Sequence, residues 1–422
     1  MFKKMMSLLL AGCLAASLAA CGGSDSSSAA AGGGTGGSGA AAGGELPPFK
    51  ISMITQLTGN NSFGGHEYQY GAELALEHQG GEVNGRKIEL VFADGPNTDA
   101  TVSEFERLYN EGSRVFLSGY GCISDRTFAA MCDEMKVLYL SLAWDYDLIQ
   151  GPSDYFFRGG ANVTAFGGGV MEQAIGIGEQ YLNIPADQLK VALVYTTRLS
   201  HVADPMKEYA AEHGVTIALE ENYPDDTTDF SAIVTKLMNT DYDILIPIQG
   251  AADGTPFQKK LHEMNYTPNV TLGAGCYYDT PNFADLGNEI TDGILTQSYT
   301  TPYIAEGAAP GITKFREDFE EKYGHKPLAH ALQAYGGMQI YFKVLETMDP
   351  ADWDDTAKVA QALKNFKAKE GELVWYWGVD FDELNNNTLA NQFVVNQWVD
   401  GELKCVFPDF LKTDEAVIPW KG

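Results

Sequence analysis

Val115-Phe116-Leu117-Ser118-Gly119-Tyr120-Gly121-Cys122-Ile123-Ser124, then Asp125 to Met135, then Val137-Leu138-Tyr139-Leu140-Ser141-Leu142-Ala143-Trp144-Asp145, is the stretch that decides the fold. A short apolar strand breaks into a glycine-bearing loop. A helix follows, with Ser124 or Asp125 placed to cap its first amides, and a second buried strand ends at Trp144 and Asp145. Neighbouring strands of a parallel sheet release their loops at the same carboxyl edge, where small ligands bind. A glycine-rich turn feeding a helix start also offers free N–H groups to an anion or a polar head group. The stretch therefore reads as half of a binding cleft, with Trp144 as a flat apolar wall beside the charge of Asp145. Taken alone, it reads more simply as a strand-loop-helix-strand unit of any α/β domain.

The flanking chain continues the pattern. Lys50 to Ile54 is a strand, followed by a polar loop from Gln56 to Gly65 and a helix ending near Gln79 before Gly80-Gly81. Ile88 to Phe92 is a strand and Thr98 to Asn110 a helix. Beyond Tyr155-Phe156-Phe157-Arg158 the series restarts: helix Asn162 to Tyr181, strand Val191 to Tyr195, helix Asp204 to His213, strand Val215 to Leu219, helix Asp229 to Met238, strand Ile244 to Ile248, helix Thr255 to Met264, strand Val270 to Gly273. After Ile294 to Ser298 come helices Ile312 to Tyr323, His330 to Met348 and Thr356 to Phe366, and the tail from Leu373 to Phe407 alternates as strands do. Strands alternating with helices imply parallel sheets covered on both faces, and two such series imply two similar lobes.

The 422 residues are 45% hydrophobic and 20% charged, a globular composition of about two domains. Lys plus Arg number 28 against 57 for Asp plus Glu, a formal charge of −29 that repels nucleic acid and anionic lipid. Residues 1–20 read as a signal peptide: Lys3 and Lys4, an apolar run from Met5 to Leu18 too short to span a bilayer, then Leu18-Ala19-Ala20-Cys21. That tetrapeptide resembles a bacterial lipobox, which implies that Cys21 is lipidated after cleavage. Residues 21–46 are the anchor and a Gly/Ser/Ala tether. Cys122, Cys132, Cys276 and Cys405 are expected as mostly free, buried thiols, none spaced as a metal knuckle.

Leu57-Thr58-Gly59, Gly71-Ala72-Glu73-Leu74-Ala75 and Gly81-Glu82-Val83-Asn84-Gly85-Arg86-Lys87 resemble the opening of the type I periplasmic binding proteins of the branched-chain amino-acid transport family. Tyr155-Phe156-Phe157-Arg158, Thr228-Asp229-Phe230-Ser231 and Phe319-Glu320-Glu321-Lys322-Tyr323-Gly324-His325-Lys326-Pro327 resemble its later landmarks in the same order. The resemblance implies two doubly wound, Rossmann-like α/β lobes with a three-crossover hinge, closing on a ligand. It implies crossovers near Gly160, Thr300 and Phe381. The amino-terminal lobe is then 47–160 plus 301–380, and the carboxy-terminal lobe 161–300 plus 381–422.

Ligand-binding residues are expected on loops at both carboxyl edges. In the first lobe these are Asn61, Ser62 and Phe63; Gly121, Cys122 and Ser124; and Ala143, Trp144 and Asp145. In the second they are Arg198 and Ser200, Gln249, and the segment from Gly275 to Asp279, including Tyr277. Of Tyr277 and Tyr278, continued strand geometry would expose one. His330 stands where the family often has a cleft aromatic. Trp144 is equally a lobe-packing residue, Asp145 a helix cap and Arg198 the partner of a surface carboxylate. Two departures matter. The acid that meets a ligand ammonium in the family falls at about Gly275, and Asp145 replaces a Thr or Ser near the ligand carboxylate. Either Asp145 takes the ammonium of a ligand turned around, or the ligand is not a standard α-amino acid.

No enzyme signature competes. Asn60-Asn61-Ser62-Phe63-Gly64 misses the nucleophile elbow, no H-E-x-x-H or Walker loop occurs, and Gly167-Gly168-Gly169 reads as close helix packing. No catalytic residue, cofactor or metal is assigned. The sequence reads as a monomeric, lipid-anchored solute-binding protein, on the outer face of a bacterial membrane, serving an ABC permease and ATPase. Its ligand is expected to be an amino acid or a relative, with an amide, urea-like compound or aromatic acid as the alternative. A sensor domain would share the fold.

Overall fold

The computed structural model describes residues 45–59, 62–120, 125–143, 153–275 and 277–420. The anchor Cys21 and the expected site residues Asn61, Gly121, Cys122, Ser124, Trp144 and Asp145 lie outside the described residues, as does Cys276.

The first series runs β1 (Phe49–Thr55), α1 (Ser62–His78), β2 (Glu82–Val83), β3 (Arg86–Asp94), α2 (Thr98–Asn110), β4 (Val115–Leu117), α3 (Asp125–Met135), β5 (Leu138–Ser141) and β6 (Phe156–Arg158). Its sheet has the order β2-β3-β1-β4-β5-β6. All but the short β2 hairpin pair in parallel, from Phe49 opposite Ile88 to Thr55 opposite Asp94. The second series runs α4 (Val163–Ile177), β7 (Lys190–Thr196), α5 (Ser200–His213), β8 (Thr216–Tyr223), α6 (Ser231–Met238), β9 (Ile244–Ile248), α7 (Ala251–Glu263), β10 (Leu272–Gly273), α8 (Pro281–Ala284), α9 (Asn288–Thr291) and β11 (Leu295–Ser298). Its strands β8-β7-β9 are parallel, and single bridges from Leu245 to Thr271 and from Ile248 to Ala274 carry the order on through β10 and β11.

The chain then returns to the first sheet with α10 (Ile312–Tyr323), α11 (Ala329–Glu346) and α12 (Thr356–Asn365), and a ribbon of β12 (Lys367–Ala368) and β13 (Val379–Asp380). It ends in the second sheet, where β14 (Val394–Val399) pairs antiparallel with β11 and with β15 (Glu402–Phe407). The chain therefore passes three times between two doubly wound sheets. Close approach of α1 and α11 closes the first lobe, because a side chain at Gly71 would put its Cβ 2.0 Å from the Ala331 carbonyl oxygen. Gly167 does the same for α4 and α5, its Cβ position lying 2.6 Å from the Val202 carbonyl oxygen.

Several element assignments differ from the sequence reading. Helix α1 starts at Ser62, inside the expected loop. Helices α5 and α7 start at Ser200 and Ala251 rather than at Asp204 and Thr255, so that Pro205 and Pro256 stand inside them. Each proline is the sixth residue of its helix, so its missing N–H removes only one bond of the first turn. The segment from Leu373 to Gly378 is no strand but a buried turn. Its Trp375 Nε1–H donates to the Leu332 carbonyl at 3.3 Å and its Tyr376 hydroxyl to the Gln392 carbonyl at 2.9 Å.

Candidate ligand cleft

At the first sheet's carboxyl edge, polar side chains at strand ends hold the loops. Thr55, closing β1, accepts the Tyr120 N–H at 3.0 Å. Asp94, closing β3, accepts the Leu57 N–H at 2.9 Å and the Thr58 hydroxyl at 2.6 Å. Asp125, opening α3, accepts the Tyr139 hydroxyl at 2.7 Å and the Ser141 hydroxyl at 2.6 Å, and Ser141 in turn accepts the Ala143 N–H at 3.2 Å. Ala143 is buried by this arrangement.

Ser62 and Phe63, both half-buried, occupy the first turn of α1, and His330 is the second residue of α11. Their helices bring Phe63 and His330 to 6.3 Å between ring centroids, with Tyr120 at 5.7 Å from Phe63 and 4.9 Å from His330. Tyr68 completes the group, 6.2 Å from His330. His330 Nδ1 is buried with no hydrogen-bond partner among the described residues. Burial pushes this imidazole down to about 4, so it is neutral at pH 7. The first lobe thus offers an uncharged aromatic wall.

At the second sheet's edge, Arg198 is exposed; its backbone N–H donates to Asp225 at 3.2 Å, and its Nη2 lies 3.2 Å from where a Gly250 Cβ would stand. Ser200 opens α5, its hydroxyl donating to the Thr197 carbonyl at 2.8 Å. Two strands away, past β9 and β10, Asp279 is buried and accepts the Ser298 hydroxyl at 2.8 Å. Burial pushes the Asp279 carboxyl up to about 6, more strongly than the Ser298 hydroxyl lowers it. No cation pairs with it among the described residues.

Gln249 and Tyr277 sit differently from expectation. Gln249 is fully buried; its Nε2 donates to the Tyr223 hydroxyl at 2.7 Å and its Oε1 accepts the Tyr278 hydroxyl at 2.5 Å. Tyr223 donates onward to Asp253 at 2.6 Å. The Gln249 amide is therefore consumed inside the lobe. Tyr277 and Tyr278 are both fully buried, because the chain leaves β10 into a turn rather than extending it; Tyr277 pairs with Thr255 at 2.8 Å and packs on Phe283. Gly275 has φ +96°, and a Cβ there would meet the Gln249 carbonyl at 2.6 Å, so the position admits no acid. Asp279 supplies one four residues later.

The sequence reading expects a three-crossover hinge but does not single out the side chains that tie it. Asn385 Nδ2 donates to the Ser153 carbonyl at 2.6 Å, while Asn387 Nδ2 donates to the carbonyls of Gly159 and Gly378, each at 3.0 Å. These amides stitch the first crossover to the third. The second, after β11, is tied to the α11 start by the Thr300 hydroxyl on the Ala329 carbonyl at 3.2 Å. The run Asn385-Asn386-Asn387, with Asn385 at φ 61°, was a legible turn signal.

Two sheets whose carboxyl edges carry these groups, joined by a stitched hinge, define a two-lobed α/β solute binder. The chain matches the family described as Periplasmic binding protein over residues 48–402, and it belongs to that family, with the type I fold. It is 26% identical over 378 residues to Leu/Ile/Val-binding protein homolog 7 of Brucella suis, covering 88% of this chain and 94% of that protein. Leu/Ile/Val-binding protein homolog 8 of Brucella abortus is 26% identical over 375 residues, covering 86% and 91%. The fold is shared with the leucine-binding protein LivK of Thermotoga maritima (TM-score 0.69, 20% identity, 85% of this chain and 97% of that one). It is also shared with LivJ of Streptococcus pneumoniae in complex with isoleucine (TM-score 0.68, 21% identity, 88% and 100%). The family is one of extracytoplasmic solute-binding proteins rather than an enzyme class. No helix among the described residues is long and apolar enough to cross a membrane.

Proposed function

We propose that this protein captures a branched-chain or closely related amino acid between its lobes and delivers it to an ABC permease. Lipid on Cys21 and the tether up to residue 46 hold it at the outer membrane face. The lobes are 47–160 with 301–380, and 161–300 with 381–422, and they close on the ligand by bending at the stitched crossovers. The observation that carries the ligand class is the pairing of unlike edges. One lobe presents an uncharged aromatic wall of Phe63, Tyr120 and His330, and the other a buried Asp279 carboxylate with no cation beside it among the described residues. An amino acid with an apolar side chain fits both: the wall covers the side chain and Asp279 takes the ammonium, a charge-assisted bond in a dry site. Ser62 and Ala143 line the first edge. The names of the Brucella relatives support the same class. In this reading Gln249 and Tyr277 shape the second wall from behind, and Arg198 and Ser200 stand at its outer margin.

Thermal unfolding of the chain from Glu45 onward, against leucine, isoleucine, valine, polar amino acids, amides, polyamines and aromatic acids, tests the proposal. A ligand at 100 times its Kd stabilises by about 2.7 kcal/mol. A rise with branched-chain amino acids, lost with their deaminated keto acids, is expected. A rise confined to amides or aromatic carboxylates would overturn the ammonium assignment.

A further inference from the structure

Glu67 has no part in the cleft as described, yet it is an almost wholly buried acid, 3% exposed, on α1, whose first turn carries Phe63. Its Oε2 accepts the Leu328 N–H at 2.8 Å. Leu328 is the residue that caps α11, two positions before His330, and no side chain of its own helix caps that end. The Glu67 carboxyl is thus a hydrogen-bonded link between the two helices whose first turns carry Phe63 and His330. The loop it holds, residues 324–328, also touches the other lobe: Lys326 pairs with Glu402 of β15. The Tyr303 hydroxyl, on the second crossover, donates to the Pro327 carbonyl at 2.8 Å.

We infer that Glu67 is a positioning residue of the ligand cleft, whose carboxyl ties α1 to the start of α11 and so fixes the separation of Phe63 and His330. The inference deepens the capture reading and rests on it for its ligand. The charge environment explains why the group is uncharged. Lys326 is engaged by Glu402, and Arg316 of α10 by the Pro302 and Ile304 carbonyls at 2.7 and 3.3 Å. Glu320 of α10, Glu402 and the Tyr303 phenol add no positive charge. His325, with Nε2 at 3.6 Å from Glu67 Oε1, is half exposed and the only base in direct reach among the described residues. Burial accordingly pushes the Glu67 carboxyl up to about 8, against the lowering effect of the Leu328 N–H. For an acid raised in this way, the protonated, linked arrangement is intact below pH 8. As pH rises through about 8, a buried carboxylate forms, and the loop must yield to hydrate it.

The experiment compares the chain from Glu45 with its E67Q variant between pH 7 and 9.5. Glutamine keeps the acceptor for Leu328 and cannot ionise. L-leucine is titrated calorimetrically, and amide exchange of residues 324–332 is followed by mass spectrometry without ligand. Titration of leucine's own ammonium is common to both proteins and cancels in the ratio. The wild-type protein is expected to lose leucine affinity up to about thirtyfold relative to E67Q by pH 9.5, the limit for one linked proton. Its loop exchange is expected to accelerate over the same range beyond the intrinsic rate, while E67Q stays flat. Leucine failing to bind at any pH, with the exchange difference intact, would support Glu67 as the link and defeat the ligand reading. Equal affinity profiles in the two proteins, or equal exchange, would overturn the inference.

Discussion

Asp279→Asn is expected to make the empty protein more stable and its ligand binding weaker, a combination that few cleft substitutions produce. The native carboxyl is pushed from 3.8 to about 6 by burial, about two units at roughly 1.4 kcal/mol each. Its ionisation at pH 7 therefore costs the folded state about 3 kcal/mol relative to the unfolded chain. The sign follows from the raised value. The folded protein holds this proton more tightly, so the cost is absent below the unfolded pKa, grows as pH rises, and is complete above about 6. Asparagine keeps the acceptor for the Ser298 hydroxyl and carries no charge. Urea unfolding should show the variant more stable by up to about 3 kcal/mol at pH 7 and no different at pH 3.5. Ligand binding should move the other way, because losing a charge-assisted hydrogen bond to an ammonium costs about 1.5–3 kcal/mol, roughly tenfold to 150-fold in Kd. An ammonium arriving at Asp279 also expels its proton, so wild-type calorimetry at pH 6 should release about half a proton per ligand, read from buffers of different ionisation enthalpy. A variant that is destabilised at pH 7, or equally stabilised at both pH values, would refute the argument that Asp279 is a buried charge awaiting a cation.

Other substitutions separate walls from contacts. Gly71→Ala drives a Cβ against the Ala331 carbonyl and is expected to cost about 1–3 kcal/mol, seen as a lower urea midpoint with an unchanged slope. Gln249→Leu strips partners from the buried Tyr223 and Tyr278 hydroxyls; a loss of about 1–3 kcal/mol in stability is expected, while leucine affinity, measured calorimetrically, stays within about threefold if the amide serves only the lobe interior. Cys132 and Cys405 are free and buried, with burial pushing both thiols up. Peptide mapping after alkylation at pH 8 should find both unmodified in the native protein and modified once urea unfolds it.

Much of the fold was written in local patterns. Helix α10 has the expected bounds of Ile312 and Tyr323, with Gly324 in the left-handed conformation that ends it, and α11 and α12 fall within two residues of expectation. The errors occurred where two local rules competed. In α5 and α7 the low helix propensity of Pro205 and Pro256 competes with a start one turn upstream of the expected Asp204 and Thr255, and the upstream start wins. That turn has consequences at the cleft: starting α7 at Ala251 lets Asp253 accept the Gly250 N–H at 3.0 Å and the Tyr223 hydroxyl as well, which anchors the Gln249 network.

The site was less legible, because position on a sheet edge does not determine what a polar side chain faces. Tyr278 and Asp279 are neighbours, and both are buried. Tyr278 spends its hydroxyl on Gln249 and Gln258, residues supplied by β9's edge and α7. Asp279 accepts the Ser298 hydroxyl, supplied by β11, and has no cation beside it among the described residues. Neither fate can be read from the pair itself, since the deciding partners lie about twenty residues away on different elements. The same holds for Gln249 against His330: each is a buried polar residue next to a strand end or helix start, one with both amide atoms bonded, the other with a ring nitrogen unpaired among the described residues. A folded protein satisfies nearly all of its buried polar groups. Two exceptions carry the proposed capture reading, His330 with a ring nitrogen unpaired among the described residues and Asp279 with an acid but no cation among them, and both appear only once every closer partner has been counted.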